Sequence, residues 1–424
     1  MNPRKVAVVG GTRIPFSRSM SAYMGVSNED LMTAALQGLV AKFSLKGMTL
    51  GEVSLGAVMK HSKDWNLARE VTLSSGLSAH TPAYDVQQAC GTSLETSILV
   101  ANKIALGQID AGIAGGTDTN SDLPIVFSQR FAHTMLKSFK ARSALEKMKV
   151  FMSLRPKDLI PVAPGVVEPR TGLSMGQSCE KMAQQWKITR EDQDQLALDS
   201  HLKAAKAYEE GFYDDLITPF HGLSKDNNVR GDSTQEKLAK LKPAFDRSER
   251  GTLTAGNSTP LTDGASCVLL ASEKWAKERS LPIQAYLTFA QTAAVDFVGD
   301  EGLLMAPAYA VPKLLDQAGL KLQDFDFYEI HEAFAAQVLC TLKAWESAEF
   351  CREKLGRTEP LGQIDRSKLN VKGGSVALGH PFAATGTRIV ASLSKLLAQK
   401  GSGRGLISIC TAGGMGVTAI LERP

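Results

Sequence analysis

Apolar residues gather in short runs that end on glycine: Val6 to Val9 before Gly10-Gly11, Ala111 to Ala114 before Gly115-Gly116, and Leu406 to Cys410 before Gly413-Gly414. Such runs, alternating with longer segments of helical pattern, predict an α/β fold with largely parallel strands. The pattern also repeats. Gly91-Thr92 opens a helical segment to about Leu106, followed by the strand ending at Gly115-Gly116; Gly386-Thr387 opens another to about Lys400, followed by the strand ending at Gly413-Gly414. Two related halves are expected.

Between about Ser121 and Arg250 the pattern changes to long, charged, helix-rich sequence, read as an insertion capping one face of the layered core. Its first part, residues 130–157, sets Lys137, Lys140, Arg142 and Lys147 among Phe131, Met135, Phe139, Leu145 and Met148. Apolar spacings of three and four residues fit one helical face. Two readings stand level here: a surface helix with its apolar side on the protein, or a segment that docks on a membrane surface or a partner.

Length and composition narrow the field. A chain of 424 residues has room for about three domains, and 43% hydrophobic with 22% charged residues matches a folded globular protein. A net charge of +4 gives no reason to expect a nucleic-acid partner. No run of 18 apolar residues occurs, and Val6 to Val9 is too short for a secretory core, so a cytoplasmic location is expected. The six cysteines are scattered without a C-x-x-C pair, so no metal site is expected and the thiols are read as free.

Which thiols react is then the question. Cys90, in Gln88-Ala89-Cys90-Gly91-Thr92, falls where a strand (Ala83 to Val86) turns into a helix, and the free amides of a first helical turn favour a thiolate. The bland alternative is a small buried hydrophobe. His380, in Gly373-Gly374-Ser375-Val376-Ala377-Leu378-Gly379-His380-Pro381, is the candidate base for it, since imidazole accepts a proton near neutral pH. A structural loop histidine is the rival reading. Cys410 ends the last strong strand beside a glycine-rich turn, where a thiol could protonate a carbanion, although alone it would be read as structural. His331, in Glu329-Ile330-His331-Glu332-Ala333-Phe334 after the strand-like run Asp324 to Tyr328, is either a donor to a developing oxyanion or a helix-start histidine beside Glu332. Two motifs are set aside. Gly172-Leu173-Ser174-Met175-Gly176 lacks the strand that a nucleophile elbow needs, and Gly10-Gly11-Thr12-Arg13 lacks the elements of a phosphate loop.

Taken in this order, the segments resemble the thiolase family over nearly the whole chain. Cys90 matches the family's acyl-accepting cysteine, His331 its H-E-A-F form of the N-E-A-F block, His380 its G-H-P, and Cys410 its terminal C-x-G-G-G block, where Ala412 replaces the first glycine. The resemblance implies a thiolase fold, α/β, of two similar βαβαβαββ halves in an α-β-α-β-α core with an inserted loop domain. It implies an N-terminal half over 1–120 plus 251–285, a loop domain over 121–250 and a C-terminal half over 286–424. By the same resemblance, Cys90 attacks a 3-ketoacyl-CoA after His380 takes its proton, and Cys410 protonates the departing enolate. One oxyanion hole would involve His331 with a water, the other the backbone amides of Cys90 and Ala412. Met175 and Phe334 match acyl-pocket positions, and Thr259 a position near the pantetheine. Coenzyme A is a cosubstrate, and no permanently bound cofactor is implied.

Within the family the H-E-A-F block, Asn257 to Leu261 and the basic insertion are most similar to the β subunit of the fatty-acid oxidation multienzyme complex. That implies a homodimer and a hydratase/dehydrogenase α subunit as partner, and the basic apolar-faced stretch over residues 130–157 leaves open a peripheral membrane contact. The rivals are a short-chain acetyl-CoA acetyltransferase, a decarboxylating condensing enzyme, for which Cys410 would be superfluous, and, from another class, a docking subunit.

Overall fold

The computed structural model describes residues 3–162, 164–165 and 167–424; Ala163 and Val166, within the expected insertion, lie outside it. Its ten strands are β1 (Val6–Arg13), β2 (Ser17–Arg18), β3 (Glu52–Leu55), β4 (Ala83–Asp85), β5 (Ala111–Asp118), β6 (Thr262–Ser272), β7 (Ala285–Ala294), β8 (Phe327–Ile330), β9 (Gly403–Thr411) and β10 (Met415–Arg423). They hydrogen-bond in the order β4-β3-β5-β6-β1-β7-β10-β9-β8, with β2 beside β6. Only two residue pairs, Ala7 with Tyr286 and Val8 with Ala285, join β1 to β7.

The order encodes the repeat. On one side of that junction β3 and β5 run parallel and β5, β6 and β1 antiparallel. On the other, β8 and β9 run parallel and β9, β10 and β7 antiparallel. Even the edge strand β4, parallel to β3, has a counterpart in the parallel bridge from Tyr328 to Leu369.

Alternation along the strands builds five layers, because successive side chains point to opposite faces. Val268 and Leu270 of β6 and Ile407, Ile409, Val417 and Ala419 of β9 and β10 turn into one core with Leu94 and Ile98 of helix Thr92–Ala105 and Ile389 and Leu393 of helix Thr385–Lys400. These two helices therefore form the middle layer, between the two halves of the sheet. Cys267, Leu269 and Ala271 turn the other way, onto helices Asn28–Lys42 and Leu67–Ser74. Leu406 and Ile420 likewise meet Leu314 and Val338 of helices Ala306–Ala318 and Ala335–Glu346.

The strands are not largely parallel as expected: β3–β4, β3–β5 and β8–β9 run parallel, while β1, β2, β6, β7 and β10 pair with other strands only antiparallel. Two local expectations shift as well. The acidic run from Asp324 is a turn, with Asp324 accepting from the Lys321 amide, and the strand begins at Phe327 where buried residues pair with β9. Gly10 and Gly11 lie inside β1, paired with Leu269 and Val268, which is why they form no phosphate loop.

The insertion departs further from the first of its two readings. Helix Gln129–Lys140 buries only Thr134 and Ser138, and helix Ala144–Phe151 buries nothing. Phe139 and Met152 are 75% and 76% exposed, with Leu136, Leu145 and Met148 also outside. Periodicity located the apolar stripe, but the stripe faces away from the protein.

Candidate active site

Cys90 lies in the single turn Ala89–Gly91 between β4 and helix Thr92–Ala105. The chain turns there at a cost, because Ala89 takes φ of +46°, a region that side chains with a Cβ avoid. Thr92 holds the turn: its hydroxyl accepts from the Gln88 amide at 2.8 Å and donates to the Ala89 carbonyl at 2.7 Å. His380 follows Gly379, whose φ of +105° suits glycine, and its amide donates to Thr262 Oγ1 at 2.7 Å. The ring is fixed at both nitrogens. Nδ1 lies 2.5 Å from Thr385 Oγ1, and Nε2 lies 3.1 Å from Cys90 Sγ.

The His331 amide donates to the Ser408 carbonyl at 2.8 Å, one step beyond the β8–β9 ladder. Its ring centroid is 4.1 Å from that of His380. Ligand atoms of Cys90, His331 and His380 all lie within 4.8 Å of one another. Cys410, buried near the end of β9, feels the charge of Cys90, which raises its own thiol further above the ordinary range that burial already leaves behind. The four candidate side chains thus come together from four segments, the first and last of them, Cys90 and Cys410, 320 positions apart.

Burial decides their protonation. The Cys90 thiol is pushed up to about 12, first by desolvation; the Ala412 amide opposes this, the Asp118 charge adds to it, and the amide of Cys90 opposes it. Cys90 itself keeps some exposed surface, open to an incoming substrate. His380 is pushed down to about 3 by burial and then by the Arg388 charge. His331 falls well below its usual range for burial, His380 and Arg388 in turn. Both shifts favour a neutral thiol beside a neutral imidazole. The helix-terminus effect expected from the sequence is outweighed, since desolvating a charge costs more than the roughly 0.3–1 kcal/mol of a helix end.

The remaining expected residues fall around this centre in two sets. Phe334 precedes helix Ala335–Glu346 and belongs to the apolar cluster that contains Cys410, and Met175, which opens helix Met175–Gln185, packs against that cluster. Thr259 runs between the two histidine segments, where its amide donates to the Ala333 carbonyl and its hydroxyl to the Ser375 carbonyl at 3.2 Å. The Ala412 amide lies near enough to the Cys90 sulfur to favour its thiolate against burial, and the next amide, of Gly413, donates to Glu168 at 2.6 Å. Ser174 of the discarded G-x-S-x-G motif caps helix Met175–Gln185 in a capping box with Gln177, so its oxygen is committed.

Matches to two family descriptions cover the chain almost end to end: "Thiolase, N-terminal domain" over residues 6–274 and "Thiolase, C-terminal domain" over residues 281–423. The chain belongs to the thiolase family. Among curated thiolases it is 45% identical to "3-ketoacyl-CoA thiolase" of Yersinia pestis (strain Pestoides F), over 99% of this chain and 97% of the relative. The same figures hold for the protein of that name from Yersinia pseudotuberculosis serotype O:1b (strain IP 31758). Among solved thiolase-like structures, the Bacillus anthracis acetyl-CoA acetyltransferase superposes with a TM-score of 0.82 at 31% identity, covering 99% of both chains.

Several residues that build this thiolase site carried no sequence signal. Glu332 does not pair with His331. Its carboxylate accepts from Ser200 Oγ at 2.8 Å, Asn370 Nδ2 at 2.6 Å and the Val376 amide at 3.1 Å, clamping the loop before His380 against the His331 segment. Asp118, at the end of β5, accepts from the amides of Val58, Met59 and Ala383. Isolated acids and hydroxyls in a sequence of this size point nowhere until the fold supplies their partners.

Proposed function

We propose that this chain catalyses the reversible thiolytic cleavage of 3-ketoacyl-CoA by coenzyme A, giving acetyl-CoA and a shortened acyl-CoA, as in fatty-acid β-oxidation. The observation that carries the reading is Cys90 Sγ at 3.1 Å from His380 Nε2, with His331 beside them, in a chain 45% identical to proteins named 3-ketoacyl-CoA thiolase.

The neutral pair sets the first step. His380 Nε2 takes the thiol proton as Cys90 Sγ attacks the 3-keto carbon, so charge separates only when bond formation drives it. Thr385, at Nδ1, supports the imidazolium. The C2–C3 bond then breaks. The acyl group stays on Cys90, and the electron pair leaves as the acetyl-CoA enolate, which takes a proton at C2 from Cys410. Coenzyme A gives its thiol proton to Cys410, attacks the acyl thioester and releases Cys90, which recovers its proton from His380. Atoms and protons balance, coenzyme A serves as cosubstrate, and no step calls for a permanently bound cofactor. His331 serves one oxyanion, and the amides of Cys90 and Ala412, both of which favour negative charge on the sulfur, the other. Met175 and Phe334 line the acyl path, and Thr259 borders the pantetheine.

Replacing Cys90 by alanine is expected to abolish cleavage of 3-ketobutanoyl- to 3-ketohexadecanoyl-CoA while binding persists. CoA-dependent cleavage by that variant would remove Cys90 as the nucleophile.

The finer assignments belong to the same proposal. The chain divides into halves over 1–120 with 251–285 and over 286–424, with a loop domain over 121–250. It works in the cytoplasm as a homodimer, pairs with a hydratase/dehydrogenase α subunit, and touches membranes through residues 130–157. Supporting the last are the outward apolar stripe and the exposed Lys137, Lys140 and Arg142 around it. Among the described residues no helix is long and apolar enough to cross a membrane. Charge reversal at those three residues should release the protein from anionic phospholipid vesicles in co-sedimentation; unchanged binding would remove the contact.

A further inference from the structure

Arg388 is a buried cation inside helix Thr385–Lys400, and no step of the proposed reaction uses it. Its nearest carboxylate, Glu329, is 3.9 Å away, too far for a hydrogen bond. What it does reach is Ser375: Arg388 Nη2 donates to Ser375 Oγ at 2.8 Å. Ser375 Oγ in turn lies 2.8 Å from His331 Nδ1. All three residues are at most 2% exposed, so water does not blur the accounting.

The accounting has one satisfied solution. A guanidinium has donors only, so the Arg388–Ser375 bond occupies a lone pair of the serine oxygen. The hydroxyl hydrogen then needs an acceptor, and among the described residues His331 Nδ1 is the one in reach. With Nδ1 accepting, the neutral ring carries its proton on Nε2. The opposite tautomer would strand the hydroxyl hydrogen in a buried place and present a lone pair at Nε2, repelling an oxyanion. His331 Nε2 is itself buried without a hydrogen-bond partner among the described residues, and the ring stands beside Cys90 and His380, a nitrogen of it within 4.8 Å of their ligand atoms. A donor left unpaired in the interior is the mark of a group waiting for a ligand atom.

We propose that Arg388 and Ser375 are positioning residues that lock His331 as the Nε2–H tautomer, keeping a preformed hydrogen-bond donor aimed at the oxygen of the reacting carbonyl. The proposal rests on the reading of His331 as an oxyanion donor. It also assigns a reason for serine at the head of helix Ser375–Leu378: the Glu332 clamp on the neighbouring Val376 amide fixes where that hydroxyl stands.

The test is a cycle of variants assayed for thiolysis of 3-ketohexadecanoyl-CoA, with thermal melting to confirm folding. Ser375→Ala should lower kcat by about 10- to 100-fold with little change in KM, a part of the ~10²–10³ that a whole oxyanion donor contributes. Ser375→Thr, which keeps the hydroxyl, should restore most of it. In a His331→Ala background, Ser375→Ala should cost nothing more, because its effect passes through the ring. A wild-type kcat for Ser375→Ala, or an equal loss in both backgrounds, would overturn the positioning role while leaving His331 as donor. A wild-type kcat for His331→Ala would remove the donor reading itself, and the proposal with it.

Discussion

The two middle-layer helices cross at Gly386, and this crossing sets the distance between nucleophile and base. A Cβ built on Gly386 would stand 2.8 Å from Leu94 Cα and Cβ, and nearer still to the Leu94 backbone nitrogen. Carbon atoms pack at about 3.5–4.0 Å, so Gly386→Ala requires the helices to part by about 1 Å. The obstacle is backbone, which has no rotamer to change. Alanine gains about 1 kcal/mol of helix propensity over glycine, whereas overpacking a core costs about 1–3 kcal/mol, so modest destabilisation is expected. The catalytic effect should be larger. Cys90 stands just before helix Thr92–Ala105 and His380 just before helix Thr385–Lys400, and a 1 Å misplacement of reacting groups can cost about 10²-fold. Gly38→Ala is the control. A Cβ there would meet Thr218, with its Cβ at 3.0 Å, in helix Asn28–Lys42 of an outer layer. Both variants should melt at lower temperature, but only Gly386→Ala should lose about 100-fold in kcat/KM per folded molecule. A Gly386→Ala enzyme as active as Gly38→Ala would refute the crossing as the determinant of site geometry.

The neutral pair predicts how Cys90 meets an alkylating agent. In the unliganded enzyme iodoacetamide labelling at pH 8 should be at least about tenfold slower than for a free thiol and should keep rising above pH 9, because the folded-state thiol titrates near 12 and only thiolate reacts. A plateau between pH 6 and 8, read by mass spectrometry, would mark a standing thiolate–imidazolium pair instead. Asp226→Ala should destabilise the fold by about 3–5 kcal/mol in urea titration, since it strands a buried guanidinium. Asp226 holds Arg13 at 2.5 and 2.6 Å and also accepts from the Phe16 amide and Tyr208 Oη at 2.6 Å. Adding Arg13→Met should recover part of that loss, and no recovery would refute the ion-pair account.

Much of the architecture was legible because it depends on local pattern. The glycine-bounded runs fall within β1, β5 and β9, and the repeat of strand, Gly-Thr and helix became two halves with the same strand order. Strand β7 was not legible: its burial is patchy, and it owes its place to pairing with β10 over most of its length. The candidate quartet drew notice because Cys90 and His380 each adjoin a glycine and Cys410 stands three residues before one, while His331 stood out through its H-E-A-F block. Its supports did not. Ser375 meets His331 across 44 residues and Glu332 meets Ser200 across 132, and nothing in a serine's neighbours along the chain announces such a partner. The sign of the Cys90 shift was also hidden, since a helix start can be read from sequence but the depth of surrounding protein cannot.

The repeat explains why the candidate site forms at this crossing. Aligning Gly91-Thr92 with Gly386-Thr387 sets Cys90 opposite Thr385, the residue before each glycine. One half thus presents a thiol at the head of its middle helix, and the other, at the same position, a hydroxyl that steadies the imidazole. The Thr387 amide donates to Ser93 Oγ at 2.9 Å, so the two helix starts are tied directly to each other. Neither half holds a usable pair alone: a thiol at about 12 needs a base in contact, and a base at about 3 needs a reacting bond to make it accept a proton. The repeat brings two helix starts together, and the difference at one position sets a thiol at one nitrogen of the His380 ring and a hydroxyl at the other. Exchanging only that pair, Cys90→Thr with Thr385→Cys, should therefore leave a folded but inactive protein, because the new thiol would face Nδ1 on the far side of the ring from the Ala412 amide. Thiolysis by that double variant would show that the two positions are interchangeable and would undo this account.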